Sequence, residues 1–281
     1  MTRIAEHITC LSSHIHIPGL LKLTSEYSSD DRLDEYERKH ADGPIDLFAF
    51  LKIAAEIGRI DAFRNSRSRK EELDKWNKQY LLTLCVYNAS DMTMTMSIVI
   101  LIELRTNWGL TAEDARSNDN DLLRCAAANG HVNILKELRV GWGLEADDAR
   151  TYDNYALRNA SERGYVDVLI ELRTNWGLTQ ENARDNDNCA LRWAADSGRL
   201  AVLVELRTNW GLTRDDARAQ DNCALKWAAE KGHVAVLVEL RVGWGLTRED
   251  ARADDDYALR RALLHGYTDV VDELRNNWGV V

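Results

Sequence analysis

The triplet Glu-Leu-Arg begins at residues 103, 137, 171, 205, 239 and 273, an unbroken spacing of 34, and a Trp-Gly pair follows three residues beyond each arginine. A register this strict makes the second half of the chain a stack of one repeated unit. Units of roughly 20–50 residues cannot enclose a core alone, so each must bury its apolar face against the next copy. Such surfaces hold something more often than they catalyse.

Residues 153–186 show what one unit contains. Asp153 or Asn154 is suited to cap a first helix whose buried stripe is Ala156, Leu157 and Ala160. Gly164 ends that helix. Its counterparts Gly130, Gly198, Gly232 and Gly266 make sense if each takes a left-handed conformation that another residue enters at a cost of about 1 kcal/mol. A second helix turns Val168, Leu169 and Leu172 inward and sets Arg173 at the negative pole of its dipole. Trp176 and Gly177 close it, with Leu178 folding back over the last turn. Thr179-Gln-Glu-Asn182, with counterparts opening at Thr111, Thr213 and Thr247, reads as a capping box that starts a third, single-turn helix.

The block 190–206, Ala-Leu-Arg-Trp-Ala-Ala-Asp-Ser-Gly-Arg-Leu-Ala-Val-Leu-Val-Glu-Leu, and its counterpart 224–240 resemble the ankyrin repeat. That pattern of Leu-His-x-Ala-Ala-x-x-Gly-His and a Val/Leu-rich helix is matched at most positions in five consecutive units. The tetratricopeptide repeat has the same length but carries its Trp in the first helix, and here the Trp ends the second. Departures from the ankyrin pattern are specific. Its Thr-Pro is Tyr155-Ala156, Cys189-Ala190 or Cys223-Ala224, and its His is Arg158, Arg192, Arg260 or Lys226. The only prolines are Pro18 and Pro44, and each unit is one residue longer than the usual 33 or so. A helical connector is therefore expected where an ankyrin repeat has its β-hairpin. The wording Asp-Asn-x-Ala-Leu-Arg-x-Ala-Ala-x-x-Gly-His is similar to that of arrays in large DNA viruses of amoebae and in protists, which implies no activity.

The expected fold is thus all-α: an ankyrin-like helical repeat solenoid with an N-terminal helical cap, elongated and monomeric. Residues 1–45 form the cap or an adaptor segment, 46–118 two degenerate repeats, and 119–281 five regular repeats with the last truncated. Residues 50–63 align without gaps on 190–203, which places the first degenerate unit at 46–78. In the second, the stretch 91–96 with its alternating Met and Thr is an insertion that forms a mobile loop or a lengthened helix. Residues 64–70, with Arg64, Arg67, Arg69 and Lys70, have the composition of a linker.

The chain has a formal charge of −10, and the array within it is net acidic, which makes it a poor polyanion binder and argues against nucleic acid as a partner. No apolar run approaches the roughly 18 residues of a membrane span, and the first residues carry no signal pattern, so a cytoplasmic or nuclear location is expected. Five cysteines, at positions 10, 85, 125, 189 and 223, then read as free thiols.

No Gly-rich phosphate loop, Gly-x-Ser-x-Gly elbow or His-Glu-x-x-His occurs, so a non-enzyme without cofactor is expected. His7, Cys10, His14 and His16 are potential zinc ligands, but their spacing matches no standard site, and no metal is assigned. His131 and His233, each after a glycine of the ladder, are expected to bond the connecting backbone. The six Trp of the Trp-Gly pairs are expected to pack between units with each indole N–H on a backbone acceptor. Trp193 and Trp227 stand where other units have Asn159 or Arg261; they are buried against the next layer or form a stacked pair on the concave surface. Arg116, Arg150, Arg184, Arg218 and Arg252 could form a phosphate track, but acidic neighbours favour ion pairs.

The resulting expectation is a non-catalytic protein–protein interaction scaffold whose concave face holds another protein. Positions that vary freely between units end the connectors, as at Asn118, Tyr152, Asn186 and Gln220, or end the first helix, as at Asn129, Arg163, Ser197 and Lys231. In the ankyrin pattern the matching positions line fingertips and groove. Tyr152, with Tyr155 and Arg163, offers the residue types that most often dominate binding energy. The alternative is a substrate-recognition adaptor in which residues 1–45 recruit an enzyme such as a ubiquitin ligase; residues 15–23, with Pro18, resemble a degraded F-box helix.

Overall fold

The computed structural model describes residues 94–280 without a break, residues 60–72, and positions 35, 36, 51, 54, 81, 82 and 86. Every described element is helical, and no strand occurs among the described residues. The zinc-like cluster of His7, Cys10, His14 and His16 and the segment 15–23 lie outside the described residues. The chain divides into two compact units, Met1–Ala126 with Asn133–Leu144, and Ala127–Val132 with Glu145–Val281.

The first unit holds α1 (Ile60–Asn65), a 3-10 turn (Arg67–Glu72), α2 (Met94–Thr106), most of α3 (Ala112–Ala128) and most of α4 (Val132–Val140). Leu51, Ala54, Ala62 and Phe63 are buried, and so are Leu191, Ala194, Val202 and Leu203, the residues on which they align. The Phe63 ring meets Trp108 edge-on at 6.0 Å. The linker expected at 64–70 is instead the end of α1 and the 3-10 turn, and Arg64 reaches Glu103 at 3.8 Å. Composition misled there because arginines at a helix end are as polar as a linker. The inserted Met-Thr stretch lengthens a helix: α2 has 13 residues, where the equivalent helix of a later repeat has 9.

The second unit contains α5 (Ala146–Ala149), α6 (Thr151–Arg163), α7 (Val166–Thr174), α8 (Gln180–Asp196), α9 (Leu200–Thr208), α10 (Arg214–Ala217), α11 (Ala219–Glu230), α12 (Val234–Val242), α13 (Arg248–Ala251), α14 (Ala253–His265) and α15 (Thr268–Asp272). The long first helices α6, α8, α11 and α14 pack each on the next, and every second helix packs on its own first helix. The apolar spacing dictates this. Ala156, Leu157, Ala160, Val168, Leu169 and Leu172 are fully buried, and each Val or Leu so enclosed contributes about 1.5–3 kcal/mol. Capping boxes at Glu145, Thr179, Thr213 and Thr247 start the connectors, which are single helical turns rather than hairpins.

The recurrence of Glu-Leu-Arg has a physical cause in this packing. Leu172, Leu206 and Leu240 are core residues, whereas Glu171, Glu205 and Glu273 are buried carboxylates. The arginine of each triplet reaches the glutamate of the next, Arg173 to Glu205 at 3.5 Å, Arg207 to Glu239 at 2.9 Å and Arg241 to Glu273 at 2.9 Å. Asn175 and Asn209 donate to Glu171 and Glu205 within their own units. A glutamate shielded from water needs such partners, so the triplet interlocks neighbouring repeats.

Asp153 and Asn154 do not form the helix cap expected of them. Tyr152, Asp153 and Asn154 all have φ of 53–56°, as do the matching triplets 118–120, 186–188, 220–222 and 254–256 within a few degrees. Each triplet carries the chain from a connector to its first helix through one left-handed turn, at a cost of about 1–2 kcal/mol per residue that Asp and Asn reduce. The basic residue four positions after the last residue of each left-handed triplet is an arginine in four of the five copies, and it holds this turn. Arg192 donates from Nε to the Asp187 carbonyl at 2.8 Å and from Nη2 to the Asn186 carbonyl at 2.9 Å; Arg124 does the same to Asp119 and Asn118, both at 3.0 Å. Arg158 and Arg260 donate to Tyr152 and Asp254. Charge-assisted bonds of this kind contribute about 1.5–3 kcal/mol each, enough to offset much of the strain.

The six Trp of the Trp-Gly pairs are buried, but the expected acceptors are missing: Nε1 of Trp108, Trp142, Trp176, Trp210, Trp244 and Trp278 has no hydrogen-bond partner. After Trp176, the backbone N–H of Leu178 bonds the Leu172 carbonyl at 3.1 Å, and the buried Leu178 closes the helix end as expected.

Candidate binding face

The glycine that ends each first helix also makes room for the next unit. Gly198 has φ of 70°, and a Cβ on it would lie 2.7 Å from Nδ1 of His233. His233 in turn bonds the Asp196 carbonyl through Nε2 at 2.8 Å, and Arg199 bonds the Glu162 carbonyl at 2.9 Å. Arg199 and His233 therefore pin the ends of the preceding first helices, which fixes where Glu162 and Asp196 stand.

Within the second unit the sequence-predicted positions fall into two strips. Tyr152, Asn186 and Gln220 are exposed at the first position of the left-handed turns, and Asn118 holds that position in the first unit. Arg163 and Lys231 are exposed at the opposite ends of their helices, with Ser197 and Asn129 half-buried at the same place. Half-buried Tyr155 and exposed Arg163 are eight positions apart, about 12 Å along the helix, so Tyr152 and Arg163 do not form one hot spot. Gln220 is committed to Asp187, its Nε2 donating at 2.7 Å.

Between the strips, Glu162, Trp193, Asp196 and Trp227 line an open cleft of about 170 Å³. Trp193 and Trp227 are half-buried, which corrects the expectation of burial against the next layer. Each ring carries a cation from the preceding repeat: the guanidinium carbons of Arg158 and Arg192 lie 5.4 and 5.7 Å from the Trp193 and Trp227 ring centres. Below them Cys189 and Cys223 are buried free thiols whose titration is pushed up by burial. One repeat further on, the same acidic position is filled from within. Tyr257 Oη donates to Glu230 at 2.9 Å and Arg261 Nη2 donates to its other oxygen, and the Arg261 bond holds the Glu230 carboxyl below its usual range. Glu162 and Asp196 make no such side-chain hydrogen bond or ion pair.

Arginines of the Asp-Ala-Arg segments are consumed by ion pairs rather than arranged as a phosphate track. Arg184 and Arg218 grip Asp216 and Asp250 of the following unit, and Arg150 pairs with Asp147. Among the described residues no three metal-ligating side chains come together, and no helix is long and apolar enough to cross a membrane.

No protein-family model matches the chain, and neither does any curated protein. The site is accordingly defined by its own geometry. Sequence reasoning singled out Trp193 and Trp227 but not Glu162 and Asp196. The available signal was the change down one column, Trp193, Trp227, Arg261, beside an acidic column, Glu162, Asp196, Glu230.

Proposed function

We propose that the chain is a non-catalytic protein–protein interaction scaffold, an ankyrin-like array that holds a partner protein on its first-helix face, the concave face of such arrays. The observation that carries this reading is the division of labour within the repeats. Glu-Leu-Arg, the Trp-Gly stop, the capping boxes and the Asp-Ala-Arg arginines of the second unit are all engaged in folding or in joining neighbours. The first-helix face instead presents half-buried aromatic rings beside carboxylates without partners. A cleft of about 170 Å³ is below the roughly 300–1,000 Å³ that encloses a small-molecule ligand, and it suits a side chain reaching in from another protein.

The reading is tested by affinity capture with quantitative mass spectrometry, comparing the wild type with Arg163→Glu/Lys231→Glu on the first-helix ends and Ile170→Ser/Val238→Ser on exposed second-helix positions. Loss of the same partner with the first pair alone supports the first-helix face. Loss with the second pair alone refutes it.

A further inference from the structure

Three rungs of one ladder differ in what meets their carboxylate. At Glu230 the carboxylate is met by a guanidinium from the next repeat, Arg261, and by the Tyr257 hydroxyl. Arg261 also lies 5.8 Å from the Tyr257 ring centre, so this rung is a complete seat in which a guanidinium sits against an aromatic ring and a carboxylate. In the two preceding rungs the position of Arg261 is taken by Trp193 and Trp227 and that of Tyr257 by Cys189 and Cys223. A thiol is too short to do what the tyrosine does, and the indole, with Arg158 or Arg192 already over its ring, brings no charge of its own to the carboxylate. The carboxylates of Glu162 and Asp196 are left beside an aromatic face, and the open cleft lies between them.

We propose that these two rungs are seats for guanidinium groups of a partner protein, one at Glu162 and Trp193 and one at Asp196 and Trp227. The occupant is an extended basic segment with two arginines three residues apart. Stacked helices repeat at about 8–10 Å, and three residues of polyproline-II chain, one full turn that returns both arginines to the same face, cover about 9 Å, so the two side chains match the two rungs. A guanidinium suits the seat better than an ammonium because its planar fork can stack on indole while donating to a carboxylate. The net charge of −10 draws such a segment in. This proposal rests on the scaffold reading and names the chemistry of its partner.

The test uses the full chain and three fluorescein-labelled synthetic peptides, read by fluorescence anisotropy. One carries two arginines three residues apart in a Gly/Ser background; the second has neutral, nearly isosteric citrulline in their place; the third has adjacent arginines. The first should bind saturably and the other two at least tenfold more weakly. Glu162→Gln with Asp196→Asn should weaken the first peptide at least tenfold with the melting temperature unchanged. Trp193→Arg with Trp227→Arg should abolish binding by filling both seats from within, as Arg261 does at Glu230. Equal binding of the citrulline peptide, an unchanged affinity in the carboxamide variant, or no binding of the arginine peptide would overturn the seats. If the arginine peptide does not bind while the Arg163→Glu/Lys231→Glu pair still loses a captured partner, the scaffold reading stands without them.

Discussion

Arg184 holds both oxygens of Asp216 in the following repeat, Nε to Oδ1 at 2.8 Å and Nη2 to Oδ2 at 3.1 Å. Asp216 is at the same time the third residue of a capping box, accepting from the Thr213 backbone at 2.7 Å and from its hydroxyl at 2.9 Å. One carboxylate therefore starts a connector helix and ties two repeats. Asp216→Ala should cost about 2–3 kcal/mol, since it removes a cap and a charge-assisted fork together. Arg184 is one-third exposed, so solvent screens its side of the pair, and Arg184→Ala should cost less than Asp216→Ala. Urea denaturation of the two variants gives the order; equal losses would remove the capping contribution.

The same contacts set the response to acid. Burial alone would raise Asp216 and Asp250, but hydrogen bonds from Arg184 and Thr213 in one case, and from Arg218 and Thr247 in the other, hold both below the ordinary value of 3.8. Arg261 holds Glu230 below 4.5. A group depressed in the folded state contributes stability that is fully present above its unfolded value and lost as pH falls through the folded one. The melting temperature should therefore be insensitive to these carboxylates from pH 6 to about pH 5 and decline progressively below about pH 4. Asp216→Asn should flatten that decline, and an unaltered acid limb in this variant would mean that the fork does not persist in solution.

Two glycines with nearly the same backbone separate strain from space. Gly177 and Gly198 have φ of 72° and 70°, but a Cβ on Gly177 meets nothing within 4 Å and one on Gly198 meets the His233 ring at 2.7 Å. Gly177→Ala should cost only the left-handed penalty, about 1 kcal/mol. Gly198→Ala should cost at least about 1 kcal/mol more, because His233 must leave the Asp196 carbonyl. Cys189→Ser, at a buried position of near-equal side-chain size and no left-handed backbone, serves as the mild reference in the same thermal melts.

Much of the helical architecture was legible because it repeats. Six copies of Glu-Leu-Arg show which positions are constant, and apolar spacing, glycine stops and capping boxes each have a local physical signature. The interlock of Arg207 with Glu239 was not legible, since 32 residues separate partners whose meeting depends on the stacking itself. Nor was the left-handed turn. Asp-Asn before a helix is a good cap on local grounds, and only the Arg192 guanidinium, folding back on the carbonyls of Asn186 and Asp187, reveals the other conformation. The cleft was half-legible: Trp193 and Trp227 stood out as exceptions in their column, but the two unpaired carboxylates emerged only by contrast with the paired Glu230.

Gln220 tests the left-handed turn directly. It is exposed, lacks the short polar side chain that makes such a backbone tolerable, and has φ of 53°. Gln220→Gly removes about 1–2 kcal/mol of strain and adds about 0.5–1 kcal/mol of chain entropy cost, with one exposed hydrogen bond to Asp187 lost. The net effect should be a small gain, about 0.5 kcal/mol, unusual for glycine at the start of a helix. Gln220→Val should lower stability, because a β-branched residue is the worst occupant of this region. A glycine variant that loses stability as much as the valine variant would show an ordinary helix start.

The last prediction concerns Trp210, which is buried but gives its indole N–H no acceptor. A ring held by packing and a ring held by a hydrogen bond respond differently to the same substitution. Trp210→Phe keeps most of the apolar bulk and removes the N–H. If the N–H were bonded in the folded state, its loss would strand a buried carbonyl and add about 1–3 kcal/mol to the cost of the smaller ring. Without a partner the deletion also relieves the desolvation of an unsatisfied donor, so Phe should cost no more than about 1.5 kcal/mol. Trp210→Ala, which empties the site, should cost about 3–5 kcal/mol. A well-separated pair of urea midpoints, with Phe close to wild type, fits packing alone; midpoints that nearly coincide would mean that the polar edge of the ring carries the stability and that its acceptor forms in solution.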